Sequence, residues 1–459
     1  MFQIKYLNVV LLILSGLGIS TAQAATLQAL TDEQLSEMTG QALMSLSYTS
    51  PTDANNLESK RDGGAKNIGF YKLGLEADLE LNVNIKKLQL GCGGVNNSIR
   101  SGVCDIDIDN ISLSGLGNSA SSNTGSDSDR AARVGSSAVL TNPFIQFAIK
   151  NPDSASTREV VGINLSSEKA MGLITFGLEN SDTPNGINTL SGFMTVAATS
   201  GLAKVNGFGT SLVSGEAAKG ALTQSYTGVA IKGKASGVNF TTKSYNLNLR
   251  DSATGSNVLN GILNLPQQDI TGKRISSAIL KANATVNDIA ISGNIVANAL
   301  LIINLDRETT GTIKNLKVDA TIDEGLNFFH KASLNGTPAS LSLQSQDLQW
   351  TANKSVAARG WWLEFSNPID IGDITPSKAV NIELPTLVET LGQINTFLAK
   401  PANEINCGSW GILSCLFGSS IPVGTVDLTN APAASMPLKD LVLKKQDFTP
   451  NCYGSLKFC

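Results

Sequence analysis

Residues 72–115 read KLGLEADLELNVNIKKLQLGCGGVNNSIRSGVCDIDIDNISLSG, and this stretch decides the fold. Apolar residues occupy every second position from Leu73 to Ile85, with Gly or polar residues between them. A period of two places the apolar side chains on one face of an extended chain, as a β-strand requires. The stretch therefore predicts a strand rather than a helix.

The second half of the stretch mirrors the first about a loop rich in Gly and Asn. The alternation shifts by one residue at Lys87 and again at Asp109. If Cys92 lies opposite Cys104, antiparallel pairing opposes every apolar residue to another and Lys87 to Asp109. The apolar pairs are Leu90 with Ile106, Leu88 with Ile108, Ile85 with Ile111 and Val83 with Leu113. Directly opposed Cβ atoms lie about 4.5–5.5 Å apart, so the register predicts a hairpin closed by a Cys92–Cys104 disulfide.

The N-terminus and the cysteines indicate an exported protein. Lys5, an apolar run and the small-residue site Ala22-Gln23-Ala24 predict a secretory signal peptide over residues 1–24. The run is shorter than the ~20 residues of a spanning helix, and we expect no transmembrane span. Close pairs of cysteines are typical of local disulfides in an oxidising compartment, here the periplasm or the cell surface. The pairs are Cys92 with Cys104, Cys407 with Cys415 and Cys452 with Cys459.

The composition favours strands and turns over helices. Charged residues make up 16% of the chain, Gly occurs 43 times, and the net charge is −4. Nucleic-acid binding requires clustered basic residues, so we expect no nucleic-acid partner. The sequence predicts a mainly β protein, elongated, with antiparallel twisted sheets or a sandwich.

Two helices are predicted within this β framework. Thr31 and Gln34 form a capping box for a short N-terminal helix at about residues 32–39. A C-terminal amphipathic helix runs from Pro385 to Leu398, because its apolar residues recur at helical spacing. It would cover one end of a sheet and protect an open edge.

Composition divides the remaining chain into three regions. Residues 25–65 hold the N-terminal helix and a linker, and residues 66–350 form the main β domain. A polar, disordered loop at 118–137 interrupts that domain. Residues 351–459 form a C-terminal β and helix region closed by disulfides.

Several segments resemble a known group of exported proteins. They are LTDEQLSEMTGQALMSLSY behind the signal peptide, KLQLGCGGVNN with CDIDIDNISLSG, NPFIQFAIKNP, REVVGINLSSEKAMGLITFG and NGINTLSGFM. The chain resembles the fimbria-associated, pilus-system proteins of gammaproteobacteria, clearly over roughly its first 200 residues. The resemblance implies a place in the periplasm or on the surface, a role in adhesion or assembly, and partners among other pilus-system proteins.

Two features suggest chemistry. Asp105, Asp107 and Asp109 alternate, so they could converge on a calcium ion or form the solvated face of a strand. They do not match a calcium-binding loop of the EF-hand kind, because Asn110 and Leu116 replace its Gly and Glu. His330 is the single histidine, which excludes a zinc site built from several histidines and any second histidine base.

The aromatic cluster of Trp350, Trp361 and Trp362 has two interpretations. It forms either an exposed contact surface for a glycan or protein, or the core and rim of a strand pair.

The inventory of catalytic residues is thin, so we expect no enzyme and no cofactor. The sequence predicts a structural or interaction protein of the bacterial cell envelope, in a pilus-like surface system. One alternative is a periplasmic or outer-membrane-associated protein that binds an apolar ligand between a long sheet and the C-terminal helix. The other is a hydrolase that works with a pair of carboxylates.

Overall fold

Alternating burial along the strands explains why this sequence forms sheets. In the strand Ser277–Val286, read SAILKANATV, exposed and buried residues alternate without exception. The buried set consists of small and branched apolar side chains, which pack well against a second layer. The same alternation recurs in the strand Lys317–Gly325 beside it.

The structure is a computed structural model, which describes residues 44–116, 132, 135–178, 183–207, 232–235, 238–299, 303–336, 338–351, 353–403, 418 and 420–444. Strands make up 58% of it and helices 8%, so the prediction of a mainly β protein is confirmed. The predicted signal peptide, the helix at 32–39, most of the loop at 118–137 and the cysteine pairs Cys407/Cys415 and Cys452/Cys459 lie outside the described residues.

The described strands are numbered in chain order. They are β1 (Met44–Thr49), β2 (Ile68–Leu75), β3 (Asp78–Leu81), β4 (Val83–Leu90), β5 (Ile106–Ser114), β6 (Ala138–Lys150), β7 (Glu159–Thr175), β8 (Ile187–Val196), β9 (Thr199–Asn206), β10 (Lys232–Ala235), β11 (Val238–Asp251), β12 (Val258–Leu265), β13 (Gln268–Ile275), β14 (Ser277–Val286), β15 (Ile289–Ala299), β16 (Ile303–Lys314), β17 (Lys317–Gly325), β18 (Lys331–Asn335), β19 (Ala339–Gln344), β20 (Gly360–Ile369), β21 (Ser420–Asp427) and β22 (Ala434–Lys439).

These strands form three sheets. The large sheet has 12 strands, in the order β1-β2-β6-β7-β19-β20-β8-β5-β4, with β3, β13 and β18 attached beside it. The second sheet runs β10-β11-β15-β16-β21, and the third runs β22-β17-β14-β12-β9. One hydrophobic cluster includes buried residues of all three sheets, among them Ile106, Leu249 and Leu280. The strand β20 comes from the region 351–459 but lies inside the large sheet, between β19 and β8.

The predicted hairpin is present, and its register is confirmed. The strands β4 and β5 pair antiparallel, with Lys87 opposite Asp109. The apolar pairs are Val83 with Leu113, Ile85 with Ile111, Leu88 with Ile108 and Leu90 with Ile106. Cys92 and Cys104 form a disulfide, with their Sγ atoms 2.01 Å apart. The local pattern alone was therefore sufficient to align the two strands.

Two α-helices and two 3₁₀ turns complete the description. The helix α1 (Leu57–Lys60) is short, and α2 (Leu384–Leu398) has Pro385 in its first turn. The 3₁₀ turns are Leu326–Phe328 and Pro401–Asn403. The helix α2 contacts β10, β21 and β22, which are edge strands of the second and third sheets. Its Leu387, Leu391, Ile394 and Leu398 are buried, as expected of one helical face.

Candidate functional site

Arg274 forms hydrogen bonds with the loop that the Cys92–Cys104 disulfide closes. Its side chain is buried, and it reaches from β13 into the turn between Cys92 and Cys104. One terminal nitrogen, Nη2, donates to the carbonyl oxygens of Gly91 and Gly93 at 2.9 and 2.7 Å. The other, Nη1, donates to the carbonyl of Arg100 at 2.9 Å. The guanidinium thus satisfies carbonyl groups that the turn leaves without strand partners.

Asp105 is the counter-ion of Arg274. The Arg274 Nε atom lies 2.8 Å from Asp105 Oδ1, and both side chains are almost completely buried. Asn96 Nδ2 donates to the same oxygen at 2.9 Å, and the Trp361 N–H donates to Oδ2 at 3.1 Å. The interpretation of Asp105 as part of a solvated strand face is wrong, because a cation from a distant strand covers it.

Asp107 and Asp109 face a different partner. Lys87 Nζ lies 2.5 Å from Asp107 Oδ1 and 2.9 Å from Asp109 Oδ1. Partial burial alone would raise the pKa of Asp107, but hydrogen bonds from Lys87, Gln89 and Asn188 outweigh it and hold that pKa below its usual value. The three aspartates therefore split between an arginine and a lysine. The part of the chain that the structure describes contains no group of three or more acidic, His or Cys side chains that could hold a metal ion.

The tryptophans form core rather than an exposed platform. Trp350 is fully buried and packs on Phe70, with ring centroids 5.5 Å apart, and Trp362 is buried as well. Trp361 is half-buried. The contact-surface interpretation is therefore wrong for Trp350 and Trp362.

His330 is buried beside β18. Burial lowers the pKa of its imidazole and outweighs hydrogen bonds to the backbone of Phe176 and Leu178, which act in the opposite direction. The ring is therefore neutral at pH 7, which favours a structural role within the core.

The large sheet exposes one apolar face. Leu46, Leu73, Ile145 and Leu165 lie directly opposite one another on β1, β2, β6 and β7. Opposed residues in antiparallel strands point to the same side, so the four side chains form a row across the sheet. A parallel row runs Tyr48, Tyr71, Phe147, Ile163 and Leu343. We define the apolar face as the most exposed residues of these two rows together with Met44, which lies two residues before Leu46 on β1. It consists of Met44 (58% exposed), Leu46 (73%), Tyr48 (40%), Leu73 (37%), Ile145 (36%), Leu165 (46%) and Leu343 (37%).

The opposite side of the same strands is buried, and it mixes polar residues with apolar ones such as Phe70 and Ala148. Gln146, Asn164 and Ser342 follow one another across β6, β7 and β19, and each is less than 3% exposed. The segment 345–359 covers them, and Trp350 packs there against the core cluster. Soluble sheets normally bury the apolar side and hydrate the polar one. In this part of the large sheet one side buries polar residues together with a core cluster, and the other side exposes apolar residues.

The apolar face runs out to an open strand edge. The strand β1 is the terminal strand of the large sheet, and among the described residues no strand pairs with its outer side. Its sequence, MSLSYT, contains no charge and no Pro, and its pairing with β2 has no bulge. Natural edge strands usually carry one of these features, because they block pairing with another chain.

A second candidate site is an apolar pocket on the third sheet. The space at this site, including open solvent, is about 510 Å³, and ten of its eleven lining residues are apolar. The exception is Glu324 of β17, which is 7% exposed. Burial raises the pKa of Glu324 to about 8, and the Asp440 and Asp323 carboxylates add to this, whereas the Leu441 N–H acts in the opposite direction. No residue of α2 lines the pocket, so it does not lie beside that helix.

Comparisons with known proteins leave the identity of the chain open. None of the helices in the described part of the chain has the length and apolar character needed to cross a membrane. Searches of protein-family models, curated proteins and solved structures gave no significant match to this chain. The resemblance to pilus-system proteins therefore stays a prediction.

Proposed function

We propose that this chain is an exported, non-enzymatic structural protein of the bacterial cell envelope. It assembles with further copies of itself through the edge of β1, as a component of a pilus-like surface system. The observation that carries the proposal is the apolar face, which continues without interruption to an unguarded strand edge. The resemblance of the N-terminal segments to fimbria-associated proteins supports the location.

Pairing between two β1 strands is chemically self-complementary. A two-fold axis perpendicular to the sheet at Leu46 would place Leu46 opposite Leu46 of a second copy, and Met44 opposite Tyr48. Every apolar residue of β1 then has an apolar partner, and no charge is buried. The apolar faces of the two copies would join into one surface.

Burial of the exposed side chains drives association once a further layer covers them. The exposed fractions of the seven residues of the apolar face together equal about three fully exposed residues. Burying one such side chain stabilises by about 1.5–3 kcal/mol, so covering the whole face of one copy would contribute roughly 5–10 kcal/mol before the entropy of association is subtracted. Pairing at the β1 edge joins two faces side by side, so this contribution requires further copies that pack on the joined surface. Backbone hydrogen bonds along the paired edge fix the relative orientation of the two strands but contribute little net free energy of association.

A charge at the edge tests the proposal. We expect the native protein to form multimers in light scattering, and Leu46→Lys to be monomeric, because pairing would place two ammonium groups directly opposite each other. Ile262→Lys is the matched control, since Ile262 is 56% exposed on β12, away from the edge. It should assemble like the wild type.

Cysteine crosslinking tests the register. Leu46→Cys should give a covalent dimer under oxidation, because opposed Cβ atoms lie at about disulfide distance. Tyr48→Cys lies opposite Met44 in this register and should crosslink much less. A monomeric wild type, or assembly that Leu46→Lys leaves intact, would contradict the proposal. High-mass complexes that contain a different protein and no Leu46→Cys dimer would show that the partner is not a second copy.

A further inference from the structure

The pocket on the third sheet combines an apolar lining with one buried acid. Leu263, Leu280 and Ile322 of β12, β14 and β17 form its floor, and Phe328 and Phe329 contribute aromatic walls. Small-molecule sites have this composition, with an apolar surface that supplies affinity and a few polar groups that fix orientation. The pocket shares no residue with the apolar face.

One carboxyl oxygen of Glu324 accepts a hydrogen bond from the protein backbone. Its Oε2 atom accepts a hydrogen bond from the Leu441 N–H at 2.9 Å. The side chain lines the pocket and is the one polar residue among those that line it. A carboxyl group at the wall of an apolar pocket gains a further hydrogen bond when a ligand supplies a partner.

The protonation state of Glu324 decides whether its carboxyl group can donate a hydrogen bond or can only accept one. Burial raises the pKa of Glu324 to about 8, so the carboxyl is neutral at pH 7 and carries an O–H donor. The acids Asp323 and Asp440 contribute to this rise in the pKa. Negative charge on these neighbours of Glu324 would also disfavour an anionic ligand.

We propose that this pocket binds an uncharged aliphatic ligand that carries one oxygen acceptor, such as a fatty alcohol, ester or amide. The chain of the ligand fills the apolar space, and its oxygen accepts a hydrogen bond from the Glu324 carboxyl. The site is separate from the proposed assembly surface, so either can fail without the other.

Displacement of a neutral fluorophore tests the proposal. N-phenylnaphthylamine is bound to the full protein and displaced by decanol, chlorodecane, decanoate or decylammonium. We expect decanol to bind about two- to tenfold more tightly than chlorodecane, the range that one net hydrogen bond gives. Leu443→Trp, which narrows the pocket, should abolish displacement by decanol. Leu46→Lys should leave it unchanged and excludes binding at the apolar face.

Variants of Glu324 test the role of the donor. Glu324→Gln retains an N–H donor and should keep the preference for decanol, whereas Glu324→Leu should lose it. Asp319→Asn is the matched control, because Asp319 is an exposed acid on the same strand. An alcohol can also donate its O–H to a carboxylate, so the pH series uses 2-decanone, which only accepts hydrogen bonds. Raising the pH from about 6 to about 9 ionises Glu324 and should remove the preference for 2-decanone over chlorodecane in the wild type but not in Glu324→Gln.

Each of three results would overturn the proposal. They are equal affinity for decanol and chlorodecane in the wild type, unchanged displacement in Leu443→Trp, and tightest binding of decylammonium. The last would mean that Glu324 is ionised and selects a cation. If Glu324→Leu fails to fold, the pH dependence of the wild type and of Glu324→Gln still decides the outcome.

Discussion

Replacing Arg274 with Met should destabilise the protein far more than the loss of a surface charge. Methionine keeps an unbranched stem but removes the guanidinium, and with it the ion pair to Asp105 and three hydrogen bonds to loop carbonyls. The Asp105 carboxylate would stay buried with only Asn96 and the Trp361 N–H as donors. Removing one partner of a buried ion pair lowers the free energy of unfolding by about 3–5 kcal/mol. We therefore expect Arg274→Met to lower the free energy of unfolding by that amount.

Urea unfolding followed by tryptophan fluorescence measures the change. Lys72→Met is the matched control, because Lys72 pairs with Glu168 at 3.1 Å on the exposed surface. Exposed pairs contribute at most about 1 kcal/mol. Asp105→Asn in the Arg274→Met background should recover part of the loss, since it removes the unpaired charge. The reasoning fails if Arg274→Met costs no more than Lys72→Met, or if Asp105→Asn makes the double variant still less stable by its full single-variant cost.

Three further predictions concern groups elsewhere in the fold. The Cys92–Cys104 disulfide spans a sequence separation of 12, and on the loop-entropy model its reduction should lower the free energy of unfolding by about 3 kcal/mol. Urea unfolding with and without reductant measures this change, and an unchanged midpoint would contradict the prediction. The pKa of Glu324 is raised to about 8 in the folded state from 4.5, so the folded state binds the extra proton and stability should fall as the pH rises through that window, whereas Glu324→Gln should remove this slope. The pKa of Asp107 is lowered in the folded state, so its contribution is present above the unfolded value of 3.8 and lost as the pH falls through the folded value. Lys87→Met should therefore weaken the dependence of the free energy of unfolding on pH in the acidic range. The change should be less than about 1 kcal/mol, because Lys87 is 41% exposed. A larger change would contradict the view that this pair is open to solvent.

The hairpin could be predicted because all its information is local. The two strands and their turn lie within 31 residues, from Val83 to Leu113, and the two shifts in alternation constrain each other. A slip of one residue would oppose apolar to polar side chains throughout. The general β character follows in the same way from the alternation and from the scarcity of charge.

The partner of Asp105 could not be predicted from the same stretch. Arg274 lies 169 residues further along the chain, in a segment that reads QDITGKRI and gives no sign of burial. Periodicity sorts side chains into two faces, but it does not say which face another layer will cover. For this reason the sequence leaves Asp105 open between a calcium ligand and a solvated residue, and leaves the aromatic pair Trp361-Trp362 open between a contact surface and core. Glu324 was missed for the same reason, because nothing around it in DEGLNFFH indicates an apolar pocket.

The segment 345–359 supplies hydrogen bonds to some of the polar residues that it buries on the large sheet. Gln146 donates to Thr351 Oγ1 at 2.8 Å, and Asn353 donates to Ser340 at 3.1 Å. The carboxylate of Glu364 accepts hydrogen bonds from the Lys354 N–H, at 2.6 Å, and from the Ser355 hydroxyl. Such pairs satisfy polar groups that are costly to bury without partners.

A sheet that had merely lost its cover would not show this pattern. If the apolar side were the intended core of the isolated chain, the polar side would face water and the segment 345–359 would need no matching donors and acceptors. Instead that segment supplies Trp350 to the core and hydrogen bonds to Gln146 and Ser340, while Asn164 and Ser342 are buried without a hydrogen-bond partner among the described residues. The cover therefore packs on this side of the sheet, and the apolar side stays exposed. Because the apolar rows extend to Leu46 and Tyr48 on an edge strand without charge, pairing of that edge with a second copy would join two apolar faces into one surface on which further copies can pack.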